Sequence, residues 1–251
     1  MTGPLSIVPL DGMGEVRAGD DLAALLEAAL QAAGLDTGSR DVLVVTSKIV
    51  SKAEDRWADL AWVVPGPRAR DLAQVTCKDP RLVELVLAES ADVVRAVSNV
   101  LITRHRLGLV MANAGIDQSN LGPDAGERVL LLPLDPDASA ERLREALPGN
   151  PAVVISDSFG RPWRHGVVNV GIGASGLPAL LDRRGGADRD GRVLEVTQVA
   201  LADMIATAAG LVTGEGSEGV PAALVRGFRF PVGIDNPAAA LVRPVEQDLF
   251  R

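Results

Sequence analysis

Apolar residues recur at helical spacing through DLAALLEAALQAA from Asp21, with Gly34 as the stop, which predicts an amphipathic helix. The run VLVVT that follows (42–46) is short, apolar and bounded by polar residues, the pattern of a buried strand. Beyond a Pro/Gly loop around Pro65 to Pro67, the pair Asp79 and Pro80 supplies a cap and first turn for a helix predicted to reach about Val97. VLITR and LGLVMA then alternate as the two strands of a hairpin, and VLLLP (129–133) reads as a further strand. DPDASAERLREAL from Asp135 is a helix with Pro near its start. AVVIS (152–156) is a buried strand expected to run into a polar loop, DSFGRPWRHG. GVVNVGIGASGLP combines an extended segment with a turn. EVTQVALADMIATAAGLV has a helical pattern that ends at TGEGSEG, before a last strand, PAALVR. The tail after Gly227 is irregular and ends in RPVEQDLFR.

Strands and helices mix throughout, with hairpins as well as crossovers and no internal repeat, so the pattern predicts an α+β or mixed α/β fold. No composition shift divides the 251 residues, a length that suits one domain of two intertwined subdomains. Hydrophobic residues make up 47% and charged residues 23%, ordinary globular usage that requires neither disorder nor a fibrous class. No apolar run approaches a membrane span, and MTGPLSIVPL lacks the basic start and long apolar core of a secretory signal, so a cytoplasmic location without membrane contact is expected.

Charge and rare residues narrow the chemistry. The net charge of -8 and the absence of Tyr leave no basic stripe or stacking platform, which argues against nucleic-acid binding. A single cysteine, Cys77, forms no intrachain disulfide and no thiolate metal cluster, and two histidines far apart complete no zinc or Cys/His scheme. There is no Gly-Lys pair for a Walker A loop, GIGASG at 171–176 is too degenerate for a dinucleotide fingerprint, and no GxGxxG joins a strand to a helix. Acidity leaves phosphorylated small molecules open, because a bound cation can reverse the local field. Only three lysines occur among 25 basic residues, and two of them, Lys48 and Lys52, stand within five positions. Arginine is the default cation in this chain, so the pair marks a place for compact ammonium groups or is chance.

Four polar segments carry candidate chemistry. In TSKIVSKAEDR (46–56), directly after a buried strand, Lys48 and Lys52 share one face and Ser47 and Ser51 add hydroxyl donors; the segment suits polyphosphate oxygens or is a solvated strand end. In NAGIDQSN (113–120), Asp117 and Asn120 would serve a cation and a phosphate, or form a plain Asx-turn. In ISDSFGRPWRHG (155–166), Asp157 sits just past a rigid strand, a frequent position for a magnesium or manganese ligand. Ser158 would add an oxygen, while Arg161 and Arg164 would clamp carboxylate or phosphate. The competing reading is a charged surface loop anchored by Trp163, with His165 incidental. In TGEGSEGVP (213–221), the glycines free backbone N–H groups for an anion nest, which Glu215 permits only with a cation between; a flexible connector is the alternative.

Taken in order, TSKIVSKAE, NAGIDQSN and DSFGRPWR, together with PLDGMGEVRAGDDL, LPLDPDASAERLR and the long block from DGRVLEV to ALVRG, resemble the coenzyme F420-0:L-glutamate ligase family, including the N-terminal domain of its actinobacterial bifunctional members. The resemblance covers nearly the whole chain. It implies a mixed α+β fold of two intertwined subdomains in a homodimer, and GTP-dependent addition of L-glutamate to coenzyme F420-0, then of a second, γ-linked glutamate. It further implies two divalent cations, magnesium or manganese, with a monovalent cation such as K+ assisting. Carried onto matching positions, Asp117 and Asp157 become ligands of the first metal, and Ser158 and Glu215 of the second. The family pattern usually has Thr where Ser158 stands, and the hydroxyl is retained. GTP contacts fall on Met13, Gly14, Glu15 and Val16, on Ser47, Lys52 and Asn120, and on Thr213, Gly214, Glu215, Gly216, Ser217, Glu218, Gly219 and Val220. The first of these segments departs from the commoner Leu-Pro. Asp157 and Lys52 take the catalytic roles.

The nitroreductase-like domain of the bifunctional relatives is absent from the expected single domain, 1–251. Two rival functions stay open at this point. One is a related metal- and GTP-dependent ligase or phosphotransferase acting on another carboxylate; the other is a non-catalytic domain that binds a deazaflavin or a partner protein.

Overall fold

A computed structural model describes residues 4–122, 125–231 and 233–248. Its centre is a five-stranded sheet made of β1 (Ser6–Pro9), β2 (Val42–Thr46), β8 (Ala152–Arg161), β9 (Arg164–Ser175) and β12 (Ala222–Arg226), in the order β1-β12-β2-β8-β9. β2 and β8 run parallel and the other neighbours antiparallel. Successive residues of β2 point to opposite faces. Leu43 and Val45 accordingly join one core with α1 (Leu22–Ala32), α2 (Ser47–Ala53) and α5 (Pro136–Ala146), whereas Val42 and Val44 join a second core with α6 (Leu201–Thr213). All four strand residues are wholly buried, which is why VLVVT shows no alternation in sequence.

Between α2 and α5 the chain builds a lobe with its own core. It contains α3 (Pro67–Thr76), α4 (Pro80–Ala88), the three-stranded meander β4 (Ser90–Val97), β5 (Val100–His105) and β6 (Val110–Ala112), and the antiparallel pair β3 (Trp57–Asp59) and β7 (Arg128–Leu130). Glu89 ties this lobe together. Its carboxylate takes Arg56 at 3.1 Å and Arg106 at 3.4 Å, with the wholly buried His105 ring also 3.4 Å away, and these contacts lower its pKa below the ordinary carboxylate range. The remaining strands, β10 (Leu180–Asp182) and β11 (Gln198–Ala200), pair with each other ahead of α6. The mixed α+β architecture expected from sequence is present. No helix among the described residues is long and apolar enough to cross a membrane.

The predicted cap at Asp79 and stop at Gly34 hold, and the helices begun at Asp21 and Asp135 are capped in the same way: the carboxylates of Asp21, Asp79 and Asp135 accept the backbone N–H groups of Ala24, Arg81 and Ala138, and Gly34 adopts φ +67° just past α1. Several boundaries differ. The helix begun at Pro80 stops at Ala88 rather than Val97, because SADVVRAV offers β-branched residues that pair along β5. Pro67 lies not in a loop but in the first turn of α3, where its missing N–H costs nothing. VLLLP contributes only its start to a strand. The polar loop DSFGRPWRHG is instead the outer half of the β8–β9 hairpin, turning at Trp163 (φ +57°). Its glycine-rich return arm is needed for close packing: a Cβ at Gly173 would lie 2.3 Å from the Pro136 carbonyl oxygen of α5, and one at Gly171 would lie 2.8 Å from the Ala202 methyl of α6. Among its described residues the tail after Gly227 carries two short 3-10 turns and an isolated bridge from Asn236 to Pro178, and the last residues of RPVEQDLFR lie outside the described residues.

Candidate functional site

Parallel pairing puts Thr46 opposite Ser156, so β2 and β8 deliver the segments after them to the same end of the sheet. Ligand sites gather at the carboxyl ends of such strands. After β2 the chain enters α2 at once, and its 3.6-residue turn sets Lys48 and Lys52 one above the other. A bulge in the β8–β9 ladder leaves one extra residue of β9, Ile172, opposite the step from Ile155 to Ser156, just before Asp157.

Each lysine meets an acid from a different loop. Lys48 Nζ lies 3.0 Å from Asp117 Oδ2 and donates to the Ser119 carbonyl at 2.9 Å. Asp117 is fixed by an antiparallel bridge in which it exchanges both backbone hydrogen bonds with Leu130. Lys52, although only 4% exposed, is ion-paired with Glu15 of the 13–16 segment and reaches the Asn120 carbonyl at 3.4 Å. Asn120 in turn donates through Nδ2 to the Gly216 carbonyl at 3.0 Å, bridging to the glycine loop. That loop is closed onto the hairpin by Ser158 Oγ, 2.6 Å from Glu215 Oε2 and 3.0 Å from Asn169 Oδ1.

The four segments surround one cleft of about 930 Å³. Every residue to which the family resemblance gave a metal or nucleotide role lines it: Met13 to Val16, Ser47, Lys52, Asp117, Asn120, Asp157, Ser158 and Thr213 to Val220. Among the described residues, five carboxylates (Glu15, Asp117, Asp157, Glu215 and Glu218) face two ammonium groups, and no arginine or histidine joins them. Burial pushes the Asp157 carboxyl up to about 7; the nearby Asp117 charge adds to the rise, while hydrogen bonds from the Ser158 N–H and Ser47 and the Lys48 charge oppose it. This electrostatic excess suits cations, or an anion accompanied by cations. Among the described residues no three Asp, Glu, His or Cys side chains converge on one point, so carboxylates here offer themselves in twos at most.

Arg161, Arg164 and His165 do not line the cleft. Arg161 donates through Nη2 to the His165 carbonyl at 2.9 Å, at the outer end of the hairpin beside the 81% exposed Trp163. Arg161 lies four positions beyond Asp157 along the strand, about 13 Å of extended chain, so nearness in sequence does not bring the guanidinium to the carboxylate. The sequence reading left one cleft residue without its partner and missed another. Lys48 was noted as an ammonium yet given no partner. Asn169, 8% exposed, is signalled by a lone amide within the apolar run VVNVG.

The chain is extensively similar to known proteins. Residues 12–227 match the family described as F420-0:Gamma-glutamyl ligase. The chain is 44% identical over 252 residues to the coenzyme F420:L-glutamate ligase of Methanothermobacter thermautotrophicus, covering 98% of this chain and 99% of that one. It is 45% identical over 254 residues to the enzyme of the same name from Methanopyrus kandleri, with 98% of each covered, and 41% identical over 215 residues to that of Methanocaldococcus jannaschii, with 84% of each covered. By extent of match, the chain belongs to the F420-0:gamma-glutamyl ligase family, a family of ligases.

Proposed function

We propose that this chain joins L-glutamate to coenzyme F420-0 through an amide bond, using GTP to activate the F420-0 carboxylate, and adds a second, γ-linked glutamate to the product. The observation that carries the reading is the meeting of the 13–16 segment, the head of α2, the Asp117 segment, the Asp157 stretch of β8 and the 213–220 glycine loop around one cleft rich in carboxylates. The Lys52 ammonium suits a triphosphate, as does the glycine-rich backbone of the loop, although the Gly214 N–H is taken by the Gly210 carbonyl and the Gly216 N–H by the Glu218 carboxylate. Asp117 with Asp157, and Ser158 with Glu215, are the groups that would hold magnesium or manganese. The fit rests on the acid excess and on the raised Asp157 pKa, both of which a cation relieves. Bound there, divalent metal would neutralise triphosphate charge and polarise the terminal phosphoryl group, with a monovalent cation such as K+ in support.

The chain's own residues orient and exclude water. Lys52 holds phosphate oxygens in line while the F420-0 carboxylate oxygen attacks the γ-phosphorus; the bond to the β-phosphate bridge breaks and GDP leaves. The glutamate amine then attacks the acyl carbon, loses a proton, and expels phosphate as the amide forms. The exposed hairpin end, with Trp163 and the half-exposed Val167, suits cover by a second copy in a homodimer, and a cytoplasmic setting fits soluble substrates. Incubation with F420-0, L-glutamate, GTP and Mn2+ followed by mass analysis tests the reading. A glutamylated F420 is expected; GTP binding with no such species would overturn the substrate, and full activity of Asp157→Asn would overturn the metal role.

A further inference from the structure

We propose that Lys48 is a tethered cation that fills the Asp117 position in the free chain, so that a divalent metal enters only by exchanging with its ammonium. This rests on the metal reading above and adds to it an order of events. Both oxygens of Asp117 are engaged: Oδ2 by Lys48 Nζ at 3.0 Å and Oδ1 by Ser119 Oγ at 3.1 Å. Lys48 is also held by the Ser119 carbonyl at 2.9 Å, so it is seated at this carboxylate by two contacts. The side chain keeps 24% exposure on a flexible stem and Asp117 keeps 34%, so the ammonium can leave toward the cleft without unpacking a core.

Two consequences follow from the geometry. A metal approaching the free chain meets a positive charge already seated on its ligand, which lowers its affinity. An anion in the cleft that draws Lys48 away from Asp117 raises that affinity, and by linkage the metal raises the affinity of the anion by the same factor. Lys52, one helical turn on and paired with Glu15, is the second cation the same anion would engage.

The test is Mn2+ binding to the full chain without nucleotide, followed by paramagnetic resonance of the free ion, for wild type, Lys48→Met, Lys48→Gln and Lys48→Arg. Removal of the charge should tighten Mn2+ binding about tenfold, within the range usual for coupled sites, and Lys48→Arg should stay near wild type. Adding Asp117→Asn to Lys48→Met should abolish the gain. Thermal melts of each variant identify any that fail to fold, and either neutral variant suffices. Equal or weaker Mn2+ binding by the folded neutral variants overturns the exchange. A parallel titration with a non-hydrolysable GTP analogue separates the two readings. If wild type binds Mn2+ there but the neutral variants gain nothing without nucleotide, only the Lys48 role fails; if no form binds Mn2+ under either condition, the metal reading fails with it.

Discussion

Ser158 Oγ stands 2.6 Å from Glu215 Oε2, joining the β8–β9 hairpin to the glycine loop 57 residues later. The contact places a hydroxyl and a carboxylate side by side at the cleft, the pair assigned above to the second metal. Ser158→Ala removes the oxygen and leaves Glu215 without it. Ser158→Thr restores it, and a β-branched residue suits a strand. Ser158→Ala should lower both Mn2+ affinity and ligase turnover by about 10–100-fold, the scale of losses at groups that orient metal ligands. Ser158→Thr should stay within a few-fold of wild type. Manganese titration alongside product mass analysis checks both, and an unimpaired Ser158→Ala would remove the hydroxyl from the site.

Asp157 carries an electrostatic strain that a stability measurement can read. An acid whose folded pKa is raised binds its proton more tightly in the folded chain. The folded state is therefore favoured most below the unfolded value of 3.8, and that advantage is lost as pH rises toward about 7. Above pH 7 the metal-free chain holds an unfavourable charge, so Asp157→Asn should be more stable than wild type there, by about 1–2 kcal/mol after allowance for partial exposure. The gap should close on acidification and shrink when Mn2+ is added. Urea unfolding from pH 5 to pH 8.5 measures this, and a variant no more stable at pH 8 than wild type would contradict it.

Much of this arrangement is legible in the sequence, and the limits have physical causes. Capped helices announce themselves because Asp21, Asp79 and Asp135 sit where a free N–H needs an acceptor. The fully buried strand β2 is equally plain, since no polar residue interrupts it. By contrast, DSFGRPWRHG looks like a loop because its strand positions are exposed and its partner is its own return arm, so no apolar alternation marks it. The stop of α4 at Ala88 depends on pairing with β5, a tertiary choice that helical spacing does not register. At the site, each motif alone was close to an ordinary turn or surface segment. What sequence spacing cannot give is the parallel register of β2 and β8, which brings the residues after Thr46 and Ser156 side by side and turns separate turns into one cleft.

Glu15 and Lys52 form the second pair in the cleft, and they are unequally buried: the lysine side chain is 5% exposed and the glutamate 51%. Among the described residues, Glu15→Ala leaves the Lys52 ammonium with the Asn120 carbonyl at 3.4 Å as its remaining hydrogen-bond partner. An uncompensated buried charge costs several kcal/mol, and water admitted through the exposed side reduces this to about 1–2 kcal/mol. The melting temperature should fall accordingly. Inorganic triphosphate, which can take the place of the lost carboxylate, should recover more stability in Glu15→Ala than it adds to wild type. Thermal melts with and without triphosphate decide; equal shifts in the two proteins would mean that Lys52 does not meet the anion.

Gly214 closes α6 and opens the glycine loop at φ +70° and ψ -179°, a backbone region open essentially to glycine alone. A Cβ there would also lie 2.2 Å from Glu218 Cδ. Alanine must therefore change the backbone one residue before Glu215, at a cost of about 1–3 kcal/mol. The loop is largely exposed and carries little of the core, so it can relieve that strain by moving, and the loss should fall on binding more than on global stability. Gly214→Ala should weaken Mn2+ and GTP-analogue binding about tenfold or more, each tenfold corresponding to about 1.4 kcal/mol, with a small change in melting temperature. Gly216→Ala is the matched control: its φ is not positive and the nearest atom to its Cβ, Glu218 Oε2, lies at 3.4 Å. It should bind within a few-fold of wild type, and equal losses in both variants would show that the loop needs glycine for access rather than for the turn at Gly214.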